Sequence, residues 1–332
     1  MSKLTNKLNS VLLLSAAAAL AACGGGSGGG SDSAASADPV AISSDNAPQV
    51  AGAAYNASGS LEGAGLGGTG FLTGAVTATT AGGVDMVEVI IAQLKASQAW
   101  FANHAAALVT GAVVTATENC TDGGSLSFTL NDADDNQDLS TGDSLSATFS
   151  SCSEAGTVLN GVISINNVVI SGDPLSFPYS LQLTIQANNF SVTENSEIAS
   201  LNGAMTLSQS TGDGVSFTNT ISGTSMALNE TGGSATLSAF QLSSTENGSA
   251  YTLDMNATVS SSEIGGAVTI VTDATFQGVE PNDPFTGQAT ITGANNSSVT
   301  LIAVDSVNVT LEVDADGDGI PEETIPTTWD AL

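Results

Sequence analysis

Arginine is absent from the 332 residues, and lysine occurs only as Lys3, Lys7 and Lys95, against 33 acidic side chains. Nucleic-acid and phosphate sites rest on Lys and Arg, so the composition argues against that class of partner and against electrostatic docking on anionic lipid. Histidine occurs once, as His104. A Ser-His-Asp triad would have to use it, and no serine stands in a nucleophile context. His104 follows Trp100 by one helical turn and reads as a packed or half-exposed helix residue. One histidine and three cysteines leave little for a zinc site. Aromatics make up only 5% of the chain, too few for the interfacial girdles of a transmembrane barrel. The apolar run Val11–Leu20 is too short to span a bilayer. Carboxylates are plentiful but fall mostly in turns, and nothing singles out a glycosidase-like pair. The expected class is non-enzymatic, with a carboxylate-dependent hydrolase as a remote alternative.

What is present is a hydrophobic fraction of 41%, enough for a folded core. At the N-terminus Lys3 and Lys7 precede the apolar run, and Leu20-Ala21-Ala22-Cys23-Gly24 follows it. That is the layout of a secretory signal peptide with small residues before the cut. Over residues 1–24 the chain resembles bacterial lipoproteins, Leu-Ala-Ala-Cys being similar to their lipobox. The resemblance implies that residues 1–22 are removed and that Cys23 becomes the first residue, carrying diacylglyceryl and palmitoyl groups. Gly24 in place of Asp implies delivery to the outer membrane, with the periplasmic or external face left open. Acyl chains anchor at roughly 0.8 kcal/mol per buried methylene. Without residues 1–22, 33 acids against Lys95 alone leave a net charge of −32. Residues 23–80 are rich in Gly, Ser and Ala and read as a flexible tether. Gly65–Gly70 and Gly25–Gly29 match dinucleotide-binding and serine-hydrolase patterns by chance within it.

Residues 81–332 read as one β-rich domain. Val87, Ile91, Leu94, Phe101, Ala105 and Leu108 keep one face apolar and predict a long helix over 85–109. Beyond it, over 112–329, apolar residues alternate with Ser, Thr and Asn: Leu126/Phe128/Leu130, Leu181/Leu183/Ile185, Tyr251/Leu253/Met255 and Val307/Val309/Leu311. Period two with turn residues between the runs predicts about a dozen half-buried antiparallel strands in a meander. Leu159-Asn160-Gly161 and Leu201-Asn202-Gly203 open similar runs, and with Gly223, Gly266 and Gly287 they recur near multiples of about 21 residues, one hairpin's length. A one-faced sheet needs a cover, and the expected fold is mainly β: a curved meander, an open or half barrel, packed on the long helix. In outline this resembles the half-barrels of lipoprotein carriers and periplasmic lipid-binding lipoproteins. That likeness implies a lipid or other hydrophobic ligand in the concavity. The alternative is a calcium-stiffened structural or adhesive surface protein.

Cys120 and Cys152, left over beside Cys23, flank a hairpin and are expected to pair, stabilising the fold by about 4 kcal/mol. Strand parity opposes this pairing unless a bulge lies near Ser150-Ser151 or the cysteines lie beyond regular pairing. The loop inside the hairpin, Asp132–Asp143, resembles an EF-hand calcium loop. Asp132, Asp134 and Asn136 fall at positions one, three and five, Asp138 at seven, Ser140 at nine and Asp143 at twelve. Gln137 replaces the turn glycine, and Asp143 is shorter than the usual Glu. A second run, Asp314-Ala315-Asp316-Gly317-Asp318-Gly319 with Glu322 and Glu323, resembles thrombospondin-type calcium repeats. Both resemblances imply structural calcium, and for both the plain alternative is a solvated acidic turn.

Overall fold

The computed structural model describes residues 37–63, 113–134, 140–154, 156–172, 177–194, 197–230 and 233–332. The helix expected over 85–109 lies outside them, as do Cys23 and His104. Among the described residues one helix, α1 (Ala47–Gly63), precedes the first half of the sheet: β1 (Val113–Asn119), β2 (Ser125–Asn131), β3 (Ser144–Glu154), β4 (Thr157–Gly172), β5 (Tyr179–Glu194), β6 (Glu197–Thr211) and β7 (Ser216–Glu230). The second half is β8 (Gly233–Asn247), β9 (Ala250–Ser261), β10 (Gly266–Val279), β11 (Thr286–Thr292), β12 (Ser298–Ala303), β13 (Asn308–Asp314) and β14 (Glu323–Thr328). The 14 strands form one antiparallel sheet in strict chain order. It is curved and unclosed, so β1 and β14 are edges. The expected open meander is therefore the fold, with two strands more than the dozen read from sequence.

Alternation decides which face is buried. Along β5, Tyr179, Leu181, Leu183, Ile185 and Ala187 are buried, while Ser180, Gln182 and Gln186 are exposed. The same alternation runs through Leu253, Met255, Ala257 and Val259 of β9 and through Val309, Leu311 and Val313 of β13. On the outer face, hydroxyls pair across strands: Thr115 with Thr129 at 3.1 Å, Thr117 with Ser127 at 2.6 Å and Thr245 with Thr252 at 2.6 Å.

Bulges bend the long central strands. Ser150 and Ser151 of β3 face the single residue Asn160 of β4, and Asn188 and Asn189 of β5 face Asn202 of β6. Ser151 and Asn189 take positive φ, 49° and 47°. In both places the neighbouring asparagine caps the bulge: Asn160 Oδ1 accepts the Ser151 N–H at 2.8 Å, and Asn202 Oδ1 accepts the Asn189 N–H at 2.6 Å. The glycines that follow, Gly161 (φ 91°) and Gly203 (φ 133°), lie against the bulged backbone of the next strand, where a Cβ would run into the carbonyls of Asn189 and Ser225. The recurring Leu-Asn-Gly thus marks a bulge site as well as a hairpin's length.

The segment read as tether is corrected over its described part. Residues 38–42 lie across the sheet end, where the Val40 N–H donates to Ala267 O at 3.0 Å and the Ala267 N–H to Asp38 O at 3.0 Å. The Ile42 N–H donates to Ser297 Oγ at 2.9 Å. α1 then packs over β8 to β13 through Ala47, Val50, Ala51 and Ala54, all fully buried at the i, i+3, i+4, i+7 spacing. Composition alone hid this helix, because an alanine stripe looks like linker although alanine is the best helix former. Small side chains let the helix approach closely: a Cβ on Gly52 would meet the Leu332 carbonyl. The Tyr55 ring lies tilted against Trp329 at 4.8 Å and edge-on to Phe276 at 5.8 Å, tying helix, β10 and C-terminus together. Trp329 Nε1 donates to Pro284 O at 3.1 Å.

Cys120 and Cys152 form a disulfide, with Cα atoms 5.3 Å apart. Cys120 sits in the β1–β2 turn rather than in a ladder, and the β3 bulge at Ser150-Ser151 reverses the parity that opposed the pairing. The turn folds onto β3, where the Asp122 N–H donates to Ser153 O at 2.9 Å and the Ser153 N–H to Gly123 O at 2.8 Å. Two outcomes follow. Cys152→Ser is expected to lower unfolding free energy by about 3–4 kcal/mol in chemical denaturation. Gly161→Ala is expected to lower it by about 1–3 kcal/mol, since the left-handed conformation and the Asn189 carbonyl both oppose a side chain.

Candidate metal centre and inner polar row

Both acidic loops connect strands. The first joins β2 to β3, and its closing residue is Asp143, only 1% exposed. Asp143 Oδ1 accepts the Ala133 N–H at 2.8 Å, and Oδ2 accepts the Ser140 N–H at 2.6 Å. This carboxylate therefore ties the two ends of the loop together. The carboxylates of Asp132, Asp134 and Asp143 lie within 4.8 Å of one another. Asn136 and Asp138, expected at positions five and seven, lie outside the described residues. Ser140, expected at position nine, has its Oγ buried and without a hydrogen-bond partner.

The second loop joins β13 to β14. Asp314, 6% exposed, accepts the Gly317 N–H at 2.7 Å on Oδ1 and the Gly319 N–H at 2.8 Å on Oδ2. Asp316 Oδ1 accepts the Asp318 N–H at 3.1 Å, Asp318 Oδ1 the Ile320 N–H at 2.8 Å, and Glu322 Oε2 the Ala315 N–H at 2.7 Å. One oxygen each of Asp316, Asp318 and Glu322 stays outside these bonds. The carboxylates of Asp314, Asp316, Asp318 and Glu322 gather within 4.8 Å, whereas Glu323 begins β14 opposite Val313 and is not among them. Every described residue is other than Lys, Arg or His, so among the described residues no basic side chain can neutralise either group.

Elsewhere, aspartates shape the hairpin turns. The Ser216 and Val215 N–H groups hold the Asp213 carboxyl below its ordinary value. Asp305 is held low by the Asn308 side chain and by the Val307 and Asn308 N–H groups. Asp283 moves the other way, raised by partial desolvation and by the nearby Asp330 charge.

Sequence reading missed a row of polar residues on the inner face. On β6 the buried set Leu201, Met205, Leu207 continues into Gln209 and Thr211; on β7 Asn219 stands between Phe217 and Ile221; on β8 Ser244 follows Leu242. Gln209 pairs in register with Asn219, and Asn219 with Ser244. Tyr179 Oη donates to Gln209 Oε1 at 2.9 Å, Gln209 Nε2 to Asn219 Oδ1 at 3.1 Å, and Asn219 Nδ2 to Glu246 Oε1 at 3.3 Å. Burial pushes the Tyr179 phenol above its ordinary value, so it stays a donor. The signal in the sequence was a polar residue at an apolar parity position.

Two outcomes test these loops and turns. Asp143→Ala strands the Ala133 and Ser140 N–H groups and is expected to lower stability by about 1–3 kcal/mol in denaturant melts, with or without calcium. The lowered values of Asp213 and Asp305 stabilise the fold above the unfolded carboxylate value, and this contribution is lost as pH falls through the lowered folded values. The raised value of Asp283 contributes at low pH and is lost as pH rises through it. In a carboxyl NMR titration by acid, Asp283 should protonate before Asp213 and Asp305. Compared with family models, curated proteins and solved structures, the chain matches none of them.

Proposed function

We propose that the chain is a non-enzymatic outer-membrane lipoprotein, anchored through Cys23, that binds a lipid or other hydrophobic ligand against the inner face of its open sheet. The observation that carries this reading is that inner face. Its rows of Leu, Ile, Val, Phe and Met run through an unclosed sheet of 14 strands. Those rows are buried within the chain, so a ligand enters by displacing what covers them, which an unclosed sheet permits. Among the described residues no helix is long and apolar enough to cross a membrane, and the proposed anchor is the acylated cysteine.

The two acidic loops are proposed as structural calcium sites. A pair of carboxylates 4.8 Å apart repels by roughly 1 kcal/mol even in water, and the second loop gathers four of them. Hard oxygen donors on a short loop suit calcium, at affinities of about 10⁻⁴ to 10⁻³ M for extracellular modules. A second reading, a calcium-stiffened structural or adhesive surface, is favoured by the cross-strand hydroxyl pairs on the outer face.

The test of the leading reading is organic extraction of the folded full chain, followed by mass spectrometry. A stoichiometric apolar molecule is expected; an empty extract from folded protein would overturn the carrier reading in favour of the surface-protein one. For the metal, about 1 mM calcium should raise the melting midpoint of the wild-type chain. It should raise that of the chain carrying D316N and D318N by less, because only the first loop remains, and equal shifts in both would remove the second loop as a site. Palmitate labelling of cells should mark the wild-type chain and be lost in Cys23→Ser.

A further inference from the structure

We propose that the outward edge of β1 is a strand-addition site for an extended basic segment of another polypeptide, an interaction separate from the carrier reading above. Among the described strands, β1 and β14 each pair on one side only. The two edges are built differently. β14 begins with Glu323, carries Pro326 and runs into the Trp329 turn, all of which oppose a further strand. β1 has seven residues without proline or lysine, and it pairs with β2 in unbroken register. Val113 is 63% exposed, and Thr115, Thr117, Glu118 and Asn119 are exposed as well. Neither face of the strand is therefore covered. In an antiparallel ladder roughly half of a strand's N–H and C=O groups point away from its neighbour. On β1 these groups meet water, and a second strand can take them.

The chemistry of the added strand follows from its surroundings. On the outer face Thr115 pairs with Thr129 at 3.1 Å and Thr117 with Ser127 at 2.6 Å. Ser or Thr in the added strand prolongs both hydroxyl rows. Carboxylates stand at both ends of the edge. Glu118 on the strand and Asp122 in the following turn lie at one end; Asp132 and Asp134, just beyond the partner of Val113, lie at the other. The net charge is −30, and none of the described residues is basic. Lys or Arg flanking a hydroxyl-bearing core complements that pattern. A second copy is the poorer occupant. Two-fold pairing of β1 with β1 lays the Glu118 and Asp122 end of one chain against the Asp132 and Asp134 end of the other, and both are acidic.

The probe is the capped peptide Lys-Thr-Val-Thr-Val-Thr-Lys, added to the full-length chain at about 50 mM salt, where surface charges are weakly screened. One control peptide has Glu for both Lys. The other has proline at every central position, keeping the charge and an extended shape but no central N–H. Affinity is read by fluorescence anisotropy, and strand addition by hydrogen–deuterium exchange mass spectrometry. The Lys peptide should bind roughly tenfold more tightly than either control and slow exchange in residues 113–119 while leaving β5–β13 unchanged. T115K with T117K puts lysine on the edge, as guarded edges do, and should weaken binding roughly tenfold. E118Q should weaken it roughly two- to fivefold. Equal binding by the proline control, slowed exchange in the acidic loops but not in 113–119, or affinity unchanged by T115K with T117K would overturn the proposal. Slow exchange of 113–119 in the chain alone, together with a dimer in analytical ultracentrifugation, would overturn it in favour of a second copy.

Discussion

A sheet with one apolar face must hide that face, and this sheet does so without closing on itself. Bending the strands is therefore the constraint on which the rest of the structure depends. The bend is built from bulges, and the bulges from short local arrangements: a residue of positive φ, an asparagine on the next strand that accepts its N–H, and a glycine that makes room. The β3 bulge also brings Cys152 to the turn that carries Cys120, so the disulfide depends on the same device. At the far side α1 completes the enclosure over β8 to β13, held by alanines small enough for close packing and by the Tyr55, Phe276 and Trp329 cluster.

The strands were legible because alternation is strong wherever one face is buried and the other solvated, as in Leu181–Ile185 and Val309–Val313. The bulge near Ser150-Ser151 was legible too, because two cysteines that must meet fix the parity on either side of them. α1 was not legible. Its stripe of Ala47, Val50, Ala51 and Ala54 carries little hydrophobicity, and its burial comes from closeness to the sheet rather than from side-chain size. The inner polar row escaped for a related reason: Gln209, Asn219 and Ser244 each interrupt an apolar set once, and only strand register shows that the interruptions are neighbours.

The acidic loops show how far a motif can be carried. Spacing grouped Asp314, Asp316, Asp318 and Glu322, whose carboxylates lie within 4.8 Å of one another, because a tight loop leaves alternate carboxylates on one side. It also put Glu323 with them, but β14 has already begun there and pairing with β13 sets its position apart from the group. In the first loop spacing treated Asp143 as a terminal ligand, whereas both of its oxygens receive backbone N–H groups. Asp314 in the second loop is placed alike, buried and with both oxygens receiving backbone N–H groups, so each loop is tied by one such aspartate.

Strict chain order has a consequence for how such a protein can change over time. Each strand is hydrogen-bonded only to the strands before and after it, so the ladder is nearly one-dimensional, like a stack of repeats. Gain or loss of one hairpin in the middle alters two seams and leaves the others as they were. Strand number is then a quantity that duplication can vary freely, provided each added hairpin carries its own bend. The two ends are not equivalent in this respect. Beyond β14 growth is hindered by Pro326, which has no N–H to offer a further strand, and by the Trp329 anchor that turns the chain back toward α1. Lengthening within the meander is the route the architecture leaves open.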